Sequence, residues 1–378
     1  MFRLWQDSTW GTHAATGACR LGRWSAWMPA RAHCAFAGRP WCLPMDNAAI
    51  DRLMHEGLRQ KTFPGAVLLA AIGNEPFFFK AYGHADLFSG RPMTPHTVFD
   101  LASLTKPLAT TLAVASLVRR GMIDLDRPIG HELSIPDHND KAVITPRQLL
   151  CHQSGLPAHR LFYMQLKRLT PKLRRSALLD LLLQTSLDDL PGRRTLYSDL
   201  GFMLLCRLIE TVAGCRLDRY LMSWVYGPLG LAEALFFVDL VGGGRPAGNF
   251  AATELCPVRN RLLVGEVHDD NAWYSGGVDG HAGLFGTAEA VFRLLRYLVR
   301  LAITPRPCPW DSTVPHAIIP VPANIFRPAP SDTWGIPVCR SGWILKKMSA
   351  SFCSPTVCIP PDGTTACANS VRRYITGS

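Results

Sequence analysis

Residues 99–120, FDLASLTKPLATTLAVASLVRR, carry both a helical pattern and a chemical motif. After Lys106, small and apolar side chains recur at helical spacing, and Gly121 stands where a helix C-cap is expected. Pro107 fits such a helix only in its first turn, where the missing N–H is not needed. We therefore predict that Ser103 and Lys106 share one face at the N-terminus of a helix, one turn apart.

The Ser103–Lys106 pair has the composition of an activated nucleophile. A serine hydroxyl reacts well only when a neighbouring group takes its proton, and a lysine amine one turn away can do so. Free N–H groups at a helix N-terminus also favour an oxyanion. Serine three residues before lysine is the nucleophile motif of β-lactamases and penicillin-binding proteins. Of the eight lysines, only Lys106 has a serine at this spacing. The alternative is that Ser103 is an ordinary helix cap.

The charge distribution argues against a nucleic-acid partner. The net charge is +11, but residues 1–45 and residues 334–378 each contribute +4, which leaves +3 for residues 46–333. Residues 46–333 are thus nearly neutral and lack the basic surface that nucleic-acid binding requires. Hydrophobic residues make up 48% of the chain and charged residues 18%, which is typical of a globular protein.

The cysteines indicate neither a metal site nor a disulfide framework. The sequence has no Cys-x-x-Cys pair and no His/Cys spacing that suits zinc, so we expect no metal and no cofactor. No stretch approaches the ~20 apolar residues of a membrane span. Residues 1–45 also lack the apolar core of a signal peptide. We therefore expect no membrane partner and a cytoplasmic location, whereas the oligomeric state stays open.

Both ends of the chain differ in composition from its body. Residues 1–44 are rich in Trp, Arg and Cys without a helical or strand period, whereas Asp46 caps a helical pattern directly after Met45. We interpret 1–44 as a disordered arm or translated upstream sequence, with a genuine extension as the alternative. Residues 336–378 change abruptly in composition and lack strand alternation, so we hypothesise a frameshift near 336. Residues 45–335 then form one domain.

The order of the predicted elements favours an α+β fold. A strand at 66–72 turns at Gly73 and returns over 77–82 as a hairpin. Two strands do not make a stable sheet, so we expect the C-terminal part to complete an antiparallel sheet built from both chain ends. Helices flank this sheet and also form a mostly helical subdomain; they are predicted at 146–151, 171–185, 199–213, 218–226 and 288–302. If the tail is frameshifted, the sheet is incomplete at the C-terminus.

Four ordered stretches resemble the β-lactamase-related serine hydrolases, which include class C β-lactamases, D-alanyl-D-alanine carboxypeptidases and esterases. They are 99–129 around Ser103, ITPRQLLCHQSGLP at 144–157, LYSDLGFMLLCRLIETVAG at 196–214 and GGVDGHAGLFGTAEAV at 276–291. The resemblance extends over about residues 45–303 and implies a serine β-lactamase-like fold. The family's strand motif, Lys-Thr-Gly or His-Thr-Gly, does not occur in the tail after residue 335.

The resemblance implies a role for each candidate site residue. Ser103 attacks a carbonyl, with Lys106 and Tyr197 as the base system, because a phenol beside an ammonium gives up its proton more readily. Asp199 stands where the family usually has asparagine, so it keeps an acceptor for substrate but loses the amide donor. His281 is assigned to the rim of the site, as a substrate contact, or to a structural role. The alternative for Tyr197 is a loop tyrosine before a helix cap.

These features predict a serine hydrolase that cleaves an ester or amide through an acyl-enzyme, with esterase-like activity favoured. A β-lactamase or D-alanyl-D-alanine peptidase is one alternative, and an inactive remnant of the family is another. The expected partner is a small-molecule ester, amide or β-lactam.

Overall fold

A computed structural model describes residues 46–241 and 248–300, with the backbone of 301–303 and of a short strand pair near the N-terminus. That pair is β1 (Ala35–Phe36) and β2 (Arg39–Pro40), which are antiparallel. The chain divides into two units, residues 1–48 and 49–378. Apart from β1 and β2, the arm 1–44 lies outside the described residues, and so do the expected C-terminal strands and the tail 336–378.

The predicted N-terminal hairpin is confirmed as part of a three-stranded antiparallel sheet. Helix α1 (Asn47–Arg59) precedes β3 (Gly65–Ile72), β4 (Glu75–Asp86) and β5 (Arg91–Pro92), and the strand order is β3-β4-β5. Neighbouring residues of β3 face opposite sides of the sheet. Ala66 therefore packs in a cluster with Met54 of α1, whereas Val67 packs in another with Ala288.

Helices form much of the remaining described chain and surround its largest buried core. The helices are α2 (Thr111–Arg119), α3 (Gly130–Leu133), α4 (Pro146–Leu150), α5 (Tyr163–Leu166), α6 (Pro171–Gln184), α7 (Asp199–Ala213), α8 (Leu217–Leu221), α9 (Asp270–Tyr274) and α10 (Ala288–Ile303). Helix α7 contacts α2, α3, α4, α6 and α8, so it is the centre of this region. Its bounds are those predicted. It begins after the cap Ser198 and ends before Gly214, whose φ is 66°.

The helices at 146–151, 171–185 and 288–302 are also confirmed to within a residue or two. The Thr145 side chain accepts from the Gln148 N–H, and Gln148 bonds back to the Thr145 N–H, which forms a capping box for α4. The helix predicted at 218–226 is only partly α-helical, because a π-helical turn replaces its second half, Met222–Tyr226.

Five short strands were not anticipated from the sequence. They are β6 (Phe99–Asp100), β7 (Leu235–Phe237), β8 (Ala252–Cys256), β9 (Arg261–Val264) and β10 (Leu284–Gly286). Strands β8 and β9 form a hairpin, and the other three form an antiparallel sheet in the order β6-β10-β7. Strands of two to five residues are too short for a period of two to be recognised. The sheet β6-β10-β7 helps to position the candidate nucleophile, because β6 ends three residues before Ser103.

The part of the chain that the structure describes is thus α+β, with antiparallel sheets and a large helical region, as predicted. None of its helices combines the length and the apolar character that crossing a membrane would demand.

Candidate active site

Ser103 lies in a short 3-10 turn, Ala102–Leu104, directly after β6, and its side chain is exposed. Ala102 adopts a left-handed conformation with φ 45°, which is unusual for a residue with a side chain. Buried Asp100 holds this turn: its Oδ1 accepts the Ala102 N–H at 2.9 Å and its Oδ2 accepts the His268 N–H at 2.7 Å. Ser103 is therefore presented on a turn that the surrounding structure fixes.

The single α-helix predicted around Ser103 and Lys106 is wrong in detail. A π-helical turn, Lys106–Thr110, follows the 3-10 turn, and α2 begins only at Thr111. Both the N–H and the hydroxyl of Thr111 donate to the Lys106 carbonyl. Such π turns occur frequently at functional sites. The two side chains nevertheless meet as predicted, because Lys106 Nζ lies 3.1 Å from Ser103 Oγ.

The Lys106 amine is buried, with 3% of the residue exposed, and has three acceptors. Besides Ser103 Oγ, they are the carbonyl oxygen of His281 at 3.1 Å and Oδ1 of Asp199 at 2.7 Å. A lysine ammonium has three N–H donors and no acceptor, so these three groups use its full donor capacity. The geometry therefore holds the Lys106 amine in contact with the candidate nucleophile.

Tyr197 lies against the same amine from the solvent side. Its ring centroid is 4.9 Å from Lys106 Nζ, and 52% of the residue is exposed. The centroid of the Phe202 ring is 5.9 Å from Nζ. The structure thus brings Tyr197 to the Ser103–Lys106 pair, at a distance typical of a cation–π contact.

His152 is a neighbour of this site that the sequence analysis did not single out. Its ring centroid is 4.6 Å from that of Tyr197, and its Nδ1 accepts the Ser198 N–H at 3.0 Å. Burial, and then the charge of Lys106, lower the pKa of His152 to about 4, although Asp199 opposes this. His152 is therefore neutral at neutral pH. The sequence feature that could have identified His152 is its place in the His-x-Ser-Gly-Leu motif, residues 152–156.

Asp199, the first residue of α7, bridges Lys106 and His159. Its Oδ1 contacts Lys106, and its Oδ2 lies 3.1 Å from Nδ1 of His159, a second residue that the sequence analysis missed. Burial alone would raise the pKa of Asp199. The hydrogen bond with His159 and the charge of Lys106 outweigh burial and lower this pKa to about 2. Asp199 is therefore a carboxylate under ordinary conditions.

His281 lies beneath the site; of the rim and the structural role that the sequence left open, this buried position fits the structural role. Only 1% of the residue is exposed, because the glycine-rich stretch before β10 folds its side chain inward. Its Nε2 lies 2.9 Å from Oδ1 of Asp269, and its Nδ1 lies 3.5 Å from Oδ1 of Asp279. Burial alone would lower the pKa of His281, but the charge and hydrogen bond of Asp269, together with Asp279, raise it to about 10.

The glycine-rich stretch 276–286 is bonded directly to the nucleophile turn. The Thr110 hydroxyl donates to the Gly280 carbonyl at 2.6 Å, and the Leu284 N–H donates to the Thr105 hydroxyl at 3.0 Å. Gly280 is required there, because a Cβ would stand well inside van der Waals distance of the Phe202 carbonyl oxygen. Within residues 46–241 and 248–300, no group of three or more His, Cys, Asp or Glu is arranged to hold a metal ion.

Residues 50–320 match the family model described as Beta-lactamase. The chain belongs to the Beta-lactamase family. A Salmonella agona (strain SL483) protein with the name "Putative D-alanyl-D-alanine carboxypeptidase" is 33% identical over 267 residues, which cover 63% of this chain and 60% of that protein. The chain thus spans about 60% of the length of the curated relatives that it matches.

Two solved structures show the shared fold. The octameric penicillin-binding protein homologue from Pyrococcus abyssi superposes with a TM-score of 0.55 at 23% identity, over 68% of this chain and 57% of that one. EstCE1, titled a hydrolase with promiscuous acyltransferase activity, superposes with a TM-score of 0.53 at 23% identity, over 69% of this chain and 73% of that one. The resemblance stated from four motifs and the serine β-lactamase-like fold are both confirmed.

Proposed function

We propose that the protein is a serine hydrolase that cleaves small esters through an acyl-enzyme on Ser103. The observation that carries the proposal is the 3.1 Å separation of Ser103 Oγ from Lys106 Nζ, with the serine exposed and the amine buried. An accessible hydroxyl in contact with a shielded amine is what an activated serine nucleophile requires.

The contacts of Lys106 suggest how the protons move. In the reactive state Lys106 and Tyr197 form one base system that holds one proton fewer than an ammonium and a phenol together, and this pair takes the proton of Ser103. The bond between Ser103 Oγ and the acyl carbon forms, the ester C–O bond breaks, and Tyr197 returns the proton to the leaving alkoxide. Water then attacks the acyl carbon, gives its proton to Tyr197, and Ser103 recovers its hydrogen. The Ser103 N–H serves as one oxyanion donor.

The preference for esters rests on Asp199. Its carboxylate is bound to Lys106 and His159, and it has no N–H with which to hold the carbonyl of a substrate amide. Its negative charge beside Lys106 also opposes the binding of substrates that carry a carboxylate near the reacting bond. A neutral ester avoids both costs.

The second candidate is a D-alanyl-D-alanine peptidase or a β-lactamase, in which the same acyl-enzyme forms on an amide. The name of the 33% identical relatives favours it. The third is an inactive remnant, because the family's strand motif does not occur in the tail.

We also propose that residues 45–335 form the catalytic domain, and that the tail 336–378 results from a frameshift. Translating the gene in the other two frames beyond codon 335 tests the frameshift. Strands with alternating polar and apolar residues and a His-Thr-Gly motif in one of these frames support it. The absence of both features from both frames refutes it. The cytoplasmic location stays a prediction from the sequence.

A fluorophosphonate probe followed by substrate assays tests the proposed function. We expect labelling that is lost in Ser103→Ala and retained in Ser89→Ala, a matched change at an exposed serine bonded to Asp86. Turnover is then compared for p-nitrophenyl acetate, nitrocefin and a peptide ending in D-alanyl-D-alanine. Faster ester cleavage supports the proposal, and faster release of D-alanine or opening of nitrocefin supports the second candidate. Absence of labelling in the folded wild-type protein identifies the remnant.

A further inference from the structure

A buried cluster of charged groups lies directly beneath Lys106, and the proposed reaction makes no use of it. His281 is at its centre, between Asp269 and Asp279. Asp279 Oδ2 also accepts from the Ser275 hydroxyl at 2.9 Å and from Arg207 at 3.4 Å. Asp279 is fully buried, and Arg207 and His281 are nearly so. Burying this many charges is expensive unless they are paired and hydrogen-bonded, so their arrangement requires an explanation.

The cluster reaches the candidate nucleophile through the backbone of His281. The His281 carbonyl oxygen is one of the three acceptors of Lys106 Nζ, and the two residues are 175 positions apart in the chain. Its other two acceptors are side chains, Ser103 Oγ and Asp199 Oδ1. The carbonyl and the Asp199 carboxylate together therefore determine the direction in which the amine points toward Ser103.

The side chain and the carbonyl of His281 move together, because Gly280 and Gly283 flank its short segment. Gly283 has φ 114°, a conformation open to glycine but not to most residues. Hydrogen bonds to Thr110 and Thr105 hold the segment at Gly280 and Leu284. Between these two points the restraint is the His281 side chain, held by Asp269 on one ring nitrogen and facing Asp279 on the other. Asp269 is itself anchored, because its Oδ1 caps α9 through the Ala272 N–H at 2.8 Å.

We propose that His281 is a positioning residue: its side chain, bonded to Asp269 and facing Asp279, fixes the backbone carbonyl that aims the Lys106 amine at Ser103. The inference rests on the proposed function of Ser103 and extends it to a residue that does not touch substrate. A purely structural role predicts a loss of stability alone. The positioning role predicts, in addition, a slower covalent step with unchanged binding of the reagent.

The test is saturation kinetics of fluorophosphonate labelling, which separates the rate constant of the covalent step, kinact, from the binding constant, KI. His281→Gln keeps a polar side chain but cannot carry the charge that faces two carboxylates. We expect kinact to fall by about 10²-fold, the cost of a misplacement of about 1 Å, with KI within about threefold of wild type. Asp269→Asn is the milder variant, because asparagine still caps α9. Asp269→Asn should lower kinact by a smaller factor than His281→Gln does.

Arg216→Gln is the matched control. Arg216 is also a cation held by two carboxylates, those of Asp218 at 2.6 Å and Asp239 at 2.7 Å, but its described contacts do not include Ser103 or Lys106. It should lower the unfolding midpoint without changing kinact. If folded His281→Gln and Asp269→Asn both keep kinact within twofold of wild type, the inference is overturned.

Crystal structures of the wild-type protein and of His281→Gln distinguish a failure of the positioning role from a failure of the proposed function. We expect the distance from Lys106 Nζ to Ser103 Oγ to exceed 4 Å in the variant, about 1 Å beyond its present value. A lengthened distance supports the positioning role even if the wild-type protein is not labelled, in which case only the proposed function fails. An unchanged distance refutes the positioning role.

Discussion

The replacement Asp199→Asn tests the electrostatics of the site. The Asp199 carboxylate lies 2.7 Å from the Lys106 amine, and its side chain is 19% exposed. Its pKa is lowered from the ordinary 3.8 to about 2. One pKa unit corresponds to about 1.4 kcal/mol, so the ionised form stabilises the folded state by about 2 kcal/mol. Asparagine has the shape of the protonated acid, and we expect Asp199→Asn to lose about this much free energy of unfolding at pH 7.

The pH dependence of this difference follows from linkage. Asp199 has a lower pKa in the folded than in the unfolded chain, so its contribution is complete above about pH 5 and is lost as the pH falls through the folded value. Relative to the variant, the wild-type protein should lose about 1 kcal/mol by pH 3 and most of the remainder by pH 2. Urea unfolding of both proteins at pH 7, 5, 4 and 3, followed by circular dichroism, measures the difference directly.

Asp126→Asn is the control, because Asp126 pairs with Arg147 at 2.7 Å while its side chain is 67% exposed. Exposed pairs contribute about 0–1 kcal/mol, so this variant should lie close to wild type. The reasoning is refuted if Asp199→Asn is as stable as wild type at pH 7. It is also refuted if the difference between the two proteins does not shrink as the pH falls.

Three further replacements test other parts of the site. Tyr197→Phe should leave the unfolding temperature nearly unchanged, because the residue is half exposed, but should lower kcat for the preferred substrate by about 10²–10⁴-fold as the proton carrier is lost. Gly280→Ala should destabilise the fold by about 1–3 kcal/mol in urea unfolding, since its Cβ meets the Phe202 carbonyl. Arg207→Met should cost about 3–5 kcal/mol by the same measurement, because buried Asp279 then loses a cation.

Each replacement has a control elsewhere in the chain. Tyr163→Phe changes another partly buried phenol and should keep full activity. Gly121→Ala introduces a Cβ that meets nothing within 4 Å, so only the strain of φ 70° remains. Arg59→Met removes an exposed partner of Glu56 and should cost at most about 1 kcal/mol. Equal effects in a test variant and its control would contradict the corresponding argument.

Long, regular elements could be predicted from the sequence because their signals are local. Helix α7 was located almost to the residue, since its apolar pattern runs over 15 residues between a serine cap and a glycine stop. The strands β6, β7 and β10 could not be predicted, because two or three residues show no period and their stability comes from pairing with distant strands. The 3-10 and π turns around Ser103 were missed for a related reason: their hydrogen bonds depend on packing as well as on propensity.

What the sequence determined by itself is the contact between Ser103 and Lys106, because residues three apart meet in any helical turn. Only the tertiary structure decided what surrounds the pair. Asp199 and His281 reach Lys106 from positions far along the chain, and His281 lies below the site, where the carboxylates of Asp269 and Asp279 face its ring. No local pattern encodes such contacts, since they depend on which distant charges must pair once the core excludes water.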